Sequence, residues 1–144
     1  MIEKVSNQNL YEILPLIRQY QEFYSITGVS ESRNRAFFSS IAATNSQGKQ
    51  FLYRENNVVI GFATVYFSFS STIAAKVAIL NDLFVLPKCR GKGIGKALIN
   101  HCQEFAIVNK FERLQWMTAH GNQEAQALYD SLNATKSLWY LYYL

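Results

Sequence analysis

The hydrophobic pattern of the chain switches period several times. Residues 2–5 read as a short first strand. Leu10, Ile13, Leu14, Ile17, Tyr20, Phe23 and Tyr24 then recur at the three-and-four spacing of one helix face. Pro15 lies inside that stripe and is expected to kink or break the helix. Gly28 ends the segment. A second helix is predicted from about Ser30 to Thr44, with Phe37, Phe38 and Ile41 on its apolar side. Strand character follows. Residues 50–54 and 58–69 flank the turn-like Glu55-Asn56-Asn57 and read as a hairpin. Residues 77–85 form another long apolar strand, which Pro87 stops.

A glycine-rich loop leads into a helix predicted from about Gly93 to Asn109. Ile94, Ala97, Leu98, Cys102, Phe105 and Ala106 line one face of it. Residues 114–118 read as a strand, so 77–118 has the strand–helix–strand form of a crossover unit. Residues 122–132 read as a helix with Asn122 at its N-cap. Residues 138–144 read as a final aromatic strand. Antiparallel strands first and a crossover later predict a mixed α/β or α+β domain.

Length and composition narrow this picture. With 144 residues, the chain is expected to be one domain spanning 1–144. Apolar residues make up 49% and charged residues 17%, which supports a packed core and excludes intrinsic disorder. No apolar run approaches the ~18 residues of a membrane span, and the N-terminus lacks the pattern of a secretory signal. Cys89 and Cys102 suit a reducing compartment, so a cytoplasmic location is expected. No metal-ligand spacing surrounds them, and no metal is expected.

The net charge of +4 is local. Lys88, Arg90, Lys92 and Lys96 place four cations within nine residues, with no acid among them. The other ten basic residues are balanced by ten acids. A nucleic-acid face would spread its cations and interleave aromatics with them. A short cluster suits a compact anion. Three of the seven glycines, Gly91, Gly93 and Gly95, fall between a strand and a helix beside these cations. Glycine admits turns that other residues resist, and a helix start offers unpaired N–H donors. Together they make a phosphate site. The spacing fits neither common nucleotide loop: Lys96 stands where a dinucleotide fingerprint needs glycine, and only three residues separate Gly91 from Gly95 where a triphosphate loop needs four.

The spacing Arg90-Gly91-Lys92-Gly93-Ile94-Gly95 instead resembles the acetyl-CoA loop of the GNAT superfamily of N-acetyltransferases. The preceding Asp82-Leu83-Phe84-Val85, Pro87, and the downstream Asn122-x-x-Ala125-x-x-x-Tyr129 are similar to further motifs of that superfamily. The likeness is good from about Val58 to Leu144. Residues 1–50 match in outline, and Tyr20-Gln21-Glu22-Phe23-Tyr24 resembles the polyamine and histone acetyltransferase branch.

The resemblance implies a central mixed, mostly antiparallel sheet of six to seven strands flanked by about four helices. It implies that backbone groups of Leu83, Phe84 and Val85 pair with the pantetheine arm of acetyl-CoA, as an extended ligand joins a sheet edge. Amides from Arg90 through Gly91, Lys92, Gly93, Ile94 and Gly95 to Lys96 would hold the pyrophosphate. The side chains of Lys88, Arg90, Lys92 or Lys96 could reach phosphate oxygens. Asn122 would touch the pantetheine arm or cap its helix, or both. Tyr129 would be the general acid that protonates the departing thiolate. Relatives often carry glutamate as a base where this chain has Asn81. Asp82 would point to the opposite sheet face in a regular strand, which favours a structural role. A water chain ending at another acid or at His120 would remain, while His101 reads as a boundary residue.

The implied function is acetyl transfer from acetyl-CoA to a primary amine by direct attack in a ternary complex, the acceptor being polyamine-like. A protein lysine or N-terminal amine, and a non-catalytic acyl-CoA-binding regulator, are the alternatives. Glu22 and Glu31 could attract a cationic acceptor. Trp116, Trp139, Tyr140, Tyr142 and Tyr143 read as core or interface. The unalternating apolar run 138–144 is expected to be covered by a second subunit, making a homodimer, because an exposed edge of this kind aggregates. No nucleic-acid or membrane partner is expected.

Overall fold

The computed structural model describes residues 1–44 and 46–144. Among these, the elements run β1 (Ile2–Lys4), α1 (Leu10–Phe23), α2 (Glu31–Ala43), β2 (Gly48–Glu55), β3 (Val58–Ser70), β4 (Ala75–Val85), a 3₁₀ turn (Pro87–Cys89), α3 (Ile94–Val108), β5 (Leu114–Gln115) and α4 (Gln123–Ser131). The strands form one sheet in the order β1-β2-β3-β4-β5. The first three pairings are antiparallel and β4–β5 is parallel. The mixed, mostly antiparallel sheet and four helices agree with expectation. The described sheet has five strands, however, not six to seven.

Strand alternation assigns each face its own core. Phe51, Ile60, Ala63, Val65, Ala78 and Leu80 pack beneath Ile94, Leu98, Ile99 and Cys102 of α3. Leu52, Val59, Phe62 and Phe84 point the other way, against Ile13, Leu14 and Ile17 of α1 and Phe38 and Ile41 of α2. Pro15 does not break α1, which runs through it for 14 residues. A mid-helix proline costs about 3 kcal/mol. The buried stripe Leu10, Ile13, Leu14, Leu16 and Ile17 exceeds that, at about 1.5–3 kcal/mol for each fully buried side chain.

The edge of the fold nearest the N-terminus is tied by one arginine. Arg54 Nε bonds Glu3 at 2.7 Å and its Nη1 bonds Glu12 at 2.7 Å, joining β2 to β1 and α1. Both carboxyls are held below their ordinary pKa by bonds to Arg54. The far end of the chain departs from expectation. Residues 138–144 form no strand, and each lies between 69% and 126% exposed. Strand β5, the edge they would extend, is only two residues long.

Candidate active site

The site begins with a defect in β4. Thr64 pairs with Asp82, but Val65 pairs with Leu80, so Asn81 is an extra residue bulged out of the ladder. A bulge bends its strand and resets which face later side chains occupy. Pairing of β4 with β5 covers only Ala78 and Ile79. From there to Val85 one edge of β4 has no strand beside it among the described residues. The expectation that Asp82 faces away from Asn81 is thereby overturned. Past the bulge, Asp82 lies on the α1 face with Phe84, while Leu83 and Val85 face α3.

Below that open edge, the chain turns through Leu86 and the 3₁₀ turn into the glycine loop. Gly91 and Gly93 adopt φ of +74° and +79°, a left-handed conformation that L side chains resist. A Cβ added at either would meet nothing within 4 Å, so both face open space. Gly93 is the N-cap of α3 and offers no capping side chain. Among the described residues, the amides of residues 91–96 donate to no protein atom. A helix start left with bare donors carries a partial positive charge and suits an anion. This concentration of donors, with Lys88, Lys92 and Lys96 exposed around it, fits a diphosphate.

The opposite wall comes from α4 and α1. Asn122 caps α4 by accepting from the Ala125 amide at 3.2 Å, so its capping role is realised. Tyr129 stands two turns further along, half-buried, its ring 5.2 Å from that of Trp116. Burial, reinforced by Tyr24, pushes the Tyr129 phenol above its ordinary pKa, so it stays protonated through neutral pH. Together these walls enclose a cleft of about 340 Å³. Leu83, Phe84, Val85, Arg90, Gly91, Gly93, Ile94, Gly95, Lys96, Asn122 and Tyr129 all line it. Of the residues singled out in the sequence, Lys92 is not among the lining and is exposed.

Sequence reading missed part of this wall. Tyr20, Phe23 and Tyr24 from the end of α1 line the cleft, as do Cys89, Glu124 and Leu128. The signal was the aromatic end of the α1 stripe, which overshoots what the sheet buries. Arg90 also differs from a free phosphate ligand. Its Nε donates to the Val85 carbonyl at 3.1 Å, and its guanidinium lies over Phe23 and Phe84 at 5.6 and 5.9 Å. Glu124 pairs with it at 3.5 Å. Arg90 therefore spans the cleft and competes for one backbone acceptor of the open edge.

The remaining candidates fall away from the cleft. His120 is exposed in its loop, and His101 packs edge-on against Phe51 at 4.6 Å. Glu22 and Glu31 pair with Arg18 and Arg35 one turn away on their own helices, at 3.5 and 3.2 Å. Cys102 is wholly buried, its thiol pushed up to about 12 by burial, so it is a core residue. Among the described residues, no group of three or more His, Cys, Asp or Glu is placed to hold a metal. No described helix is long and apolar enough to cross a membrane.

Comparison with known proteins agrees with this geometry. The acetyltransferase (GNAT) family model matches residues 10–133. An uncharacterized N-acetyltransferase of Bacillus subtilis, YhfO, is 31% identical over 142 residues, covering 99% of this chain and 94% of that protein. A thialysine N-epsilon-acetyltransferase of Bos taurus is 28% identical, covering 93% of this chain and 83% of its own. Among solved structures, the aminoglycoside N-acetyltransferase AAC(6')-Iy in complex with CoA superposes with a TM-score of 0.86 at 21% identity. That match covers 100% of this chain and 93% of the other. The chain belongs to the GNAT family. It is an acetyl-CoA-dependent N-acetyltransferase with acetyl-CoA as co-substrate.

Proposed function

We propose that residues 1–144 form one catalytic unit that acetylates the primary amine of a small, cationic, lysine- or polyamine-like acceptor. Transfer is by direct attack while both substrates are bound. One observation carries the reading: among the described residues, the bare amides leading into α3, with Gly91, Gly93, Ile94, Gly95 and Lys96 lining the cleft, lie below an unpaired sheet edge in that same cleft. Those amides would hold the diphosphate, with Lys96 and Lys92 adding charge from either side. Backbone groups of Leu83, Phe84 and Val85 would align the pantetheine arm, with Arg90 swinging off the Val85 carbonyl to admit it. Asn122 would border the arm while capping α4.

When bound, acetyl-CoA supplies an acetyl thioester. Phe23 and Tyr24 would shield it from water. Tyr129, kept protonated by its surroundings, would give its proton to the departing sulfur. The small acceptor is favoured by the relatives' substrates, since the Bos taurus relative is named for thialysine. The test is a panel of primary amines, including thialysine, spermidine and a lysine peptide, followed by thiol release from acetyl-CoA. Small amines are expected to turn over faster than the peptide. Coenzyme binding without turnover of any amine would overturn the reading.

We also propose that the protein is a homodimer in which the exposed run 138–144, Leu-Trp-Tyr-Leu-Tyr-Tyr-Leu, is covered by a second copy. Seven apolar side chains in a row are left in solvent otherwise, well beyond what a monomer surface usually carries. Light scattering after size exclusion is expected to give a dimer at micromolar concentration. Deletion of 138–144 is expected to give a monomer. A monomeric full-length chain would refute this.

A further inference from the structure

Direct transfer leaves one step without a residue. An alkylammonium has a pKa near ~10, so it must lose a proton before it can attack. Asn81, on the open edge of β4, is an amide and cannot accept that proton usefully. Behind it lies a row of buried polar groups. Gln50, Thr64 and Asp82 are register partners across β2, β3 and β4, all on the α1 face. They are 2%, 0% and 6% exposed. Gln50 Nε2 donates to the Thr64 hydroxyl at 3.0 Å. Asp82 Oδ1 accepts from the Asn81 amide nitrogen at 3.0 Å. Asp82 Oδ2 is buried with no direct hydrogen-bond partner. An apolar residue there would suit a core better, since a buried carboxylate short of partners costs stability.

Tyr20 connects this row to the cleft. Its ring is fixed edge-on against Phe62 and Phe84, at 6.0 and 6.2 Å. Its hydroxyl donates to the Asn81 carbonyl at 3.4 Å and also approaches the Asp82 carboxyl closely enough to favour its charged form. Tyr20 lines the cleft and Asp82 does not. Tyr129 approaches Tyr20 from α4, closely enough that the two phenols influence each other. The proposed proton donor and Tyr20 thus share one end of the cleft.

We propose that Asp82 is the terminal proton acceptor of the reaction, reached through the Tyr20 hydroxyl, and that the Asn81 bulge exists to turn it to that side. The inference rests on the acetyl-transfer reading above. In the step, the Tyr20 hydroxyl turns from the Asn81 carbonyl toward the Asp82 carboxylate and passes its proton there as the substrate ammonium gives a proton to the Tyr20 oxygen. The nitrogen gains its lone pair, Tyr20 ends neutral as it began, and Asp82 becomes a neutral acid. One positive and one negative charge vanish together, which a low-dielectric pocket favours. After transfer, the proton returns to solvent along the same path. Tyr20 touches the substrate and is the catalytic residue of the pair; Asp82 acts through it.

The surroundings suit the task. The groups facing Asp82 are Tyr20 from α1, Thr64 and Tyr66 from β3, and Asn81 on its own strand, with Tyr24 and Tyr129 beyond Tyr20. Among the described residues, no cation and no second carboxylate contributes to its titration. Burial raises its pKa, against the bond from Asn81 and the nearby hydroxyls of Thr64 and Tyr20, which lower it. A carboxyl so raised is a better proton acceptor than an exposed one, and the native state is destabilised as pH rises through its pKa.

The test is the pH dependence of kcat/KM for Asp82→Asn and Tyr20→Phe, with acetyl-CoA and thialysine or spermidine. Without the acceptor, only amine already neutral in solution can react. The deficit is therefore expected to be on the order of 10²-fold at pH 7 and to close by roughly tenfold per pH unit toward the amine pKa. Asp82→Asn is also expected to melt at the same or a higher temperature than wild type at pH 8. A deficit constant with pH, or a lowered melting temperature with no change in profile, would make Asp82 merely structural and overturn the proposal. Wild-type enzyme that turns over no amine at any pH would overturn the acetyl-transfer reading, and this one with it.

Discussion

Tyr129→Phe is expected to lower kcat by about 10²-fold or more while leaving coenzyme A affinity within about twofold. The substitution removes one oxygen and keeps the ring. The 5.2 Å packing on Trp116 therefore survives, and so does the fold of α4. What is lost is the proton for the leaving sulfur. Protonating the sulfur as it departs keeps the thiolate from re-attacking the new amide carbonyl carbon, so a positioned acid matters most at collapse of the tetrahedral state. The raised Tyr129 pKa sets the sign of the pH dependence: burial holds the wild-type acid protonated, so its ionisation should cause no loss of kcat through neutral and mildly alkaline pH. Steady-state kinetics and calorimetry with coenzyme A check both halves. An unchanged kcat would remove Tyr129 from the chemistry.

Gly93→Ala is expected to weaken coenzyme A binding by roughly five- to thirtyfold, as the loop leaves the conformation that presents its amides. The left-handed conformation at φ +79° costs an L residue about 1–2 kcal/mol, which is a factor of about 5–30. The added methyl meets no protein atom. It enters the open space that the bare amides face, and so adds a steric loss to the conformational one. Gly48→Ala makes the contrast. Its Cβ would sit 2.5 Å from the Val65 carbonyl oxygen, so it should unfold the protein at a lower temperature with no selective effect on the coenzyme. Calorimetry and thermal melts separate the two cases. Equal coenzyme affinity in Gly93→Ala and wild type would deny the loop its role.

Local pattern carried most of this architecture. The α3 stripe and the loop before it are repeating or punctuated signals within a single stretch, and the observed elements start and stop close to their expected places. Pro15 does not break the helix because its cost is local, whereas the stripe that outweighs it is realised only against the sheet. Residues 138–144 form no strand for the converse reason: β-prone side chains indicate what a segment could pair with, but pairing needs a neighbouring edge, and β5 supplies two residues. The cleft residues from Leu83 to Lys96, with Asn122 and Tyr129, were legible because they sit in contiguous motifs. Tyr20 and Asp82 were not, since they are 62 positions apart and meet only through the bulge. A regular alternation predicted the wrong face for Asp82, and no composition signal marks an extra residue in a ladder.

That irregularity makes β4 sensitive to length rather than to chemistry. Removing the one amino acid between Leu80 and Asp82 would restore even alternation and turn the Asp-Leu-Phe-Val run to the opposite face of the sheet. A frame change of this sort should abolish activity where most single replacements at exposed Asn81 are tolerated, so variation at this strand should arise by exchange and not by insertion or loss.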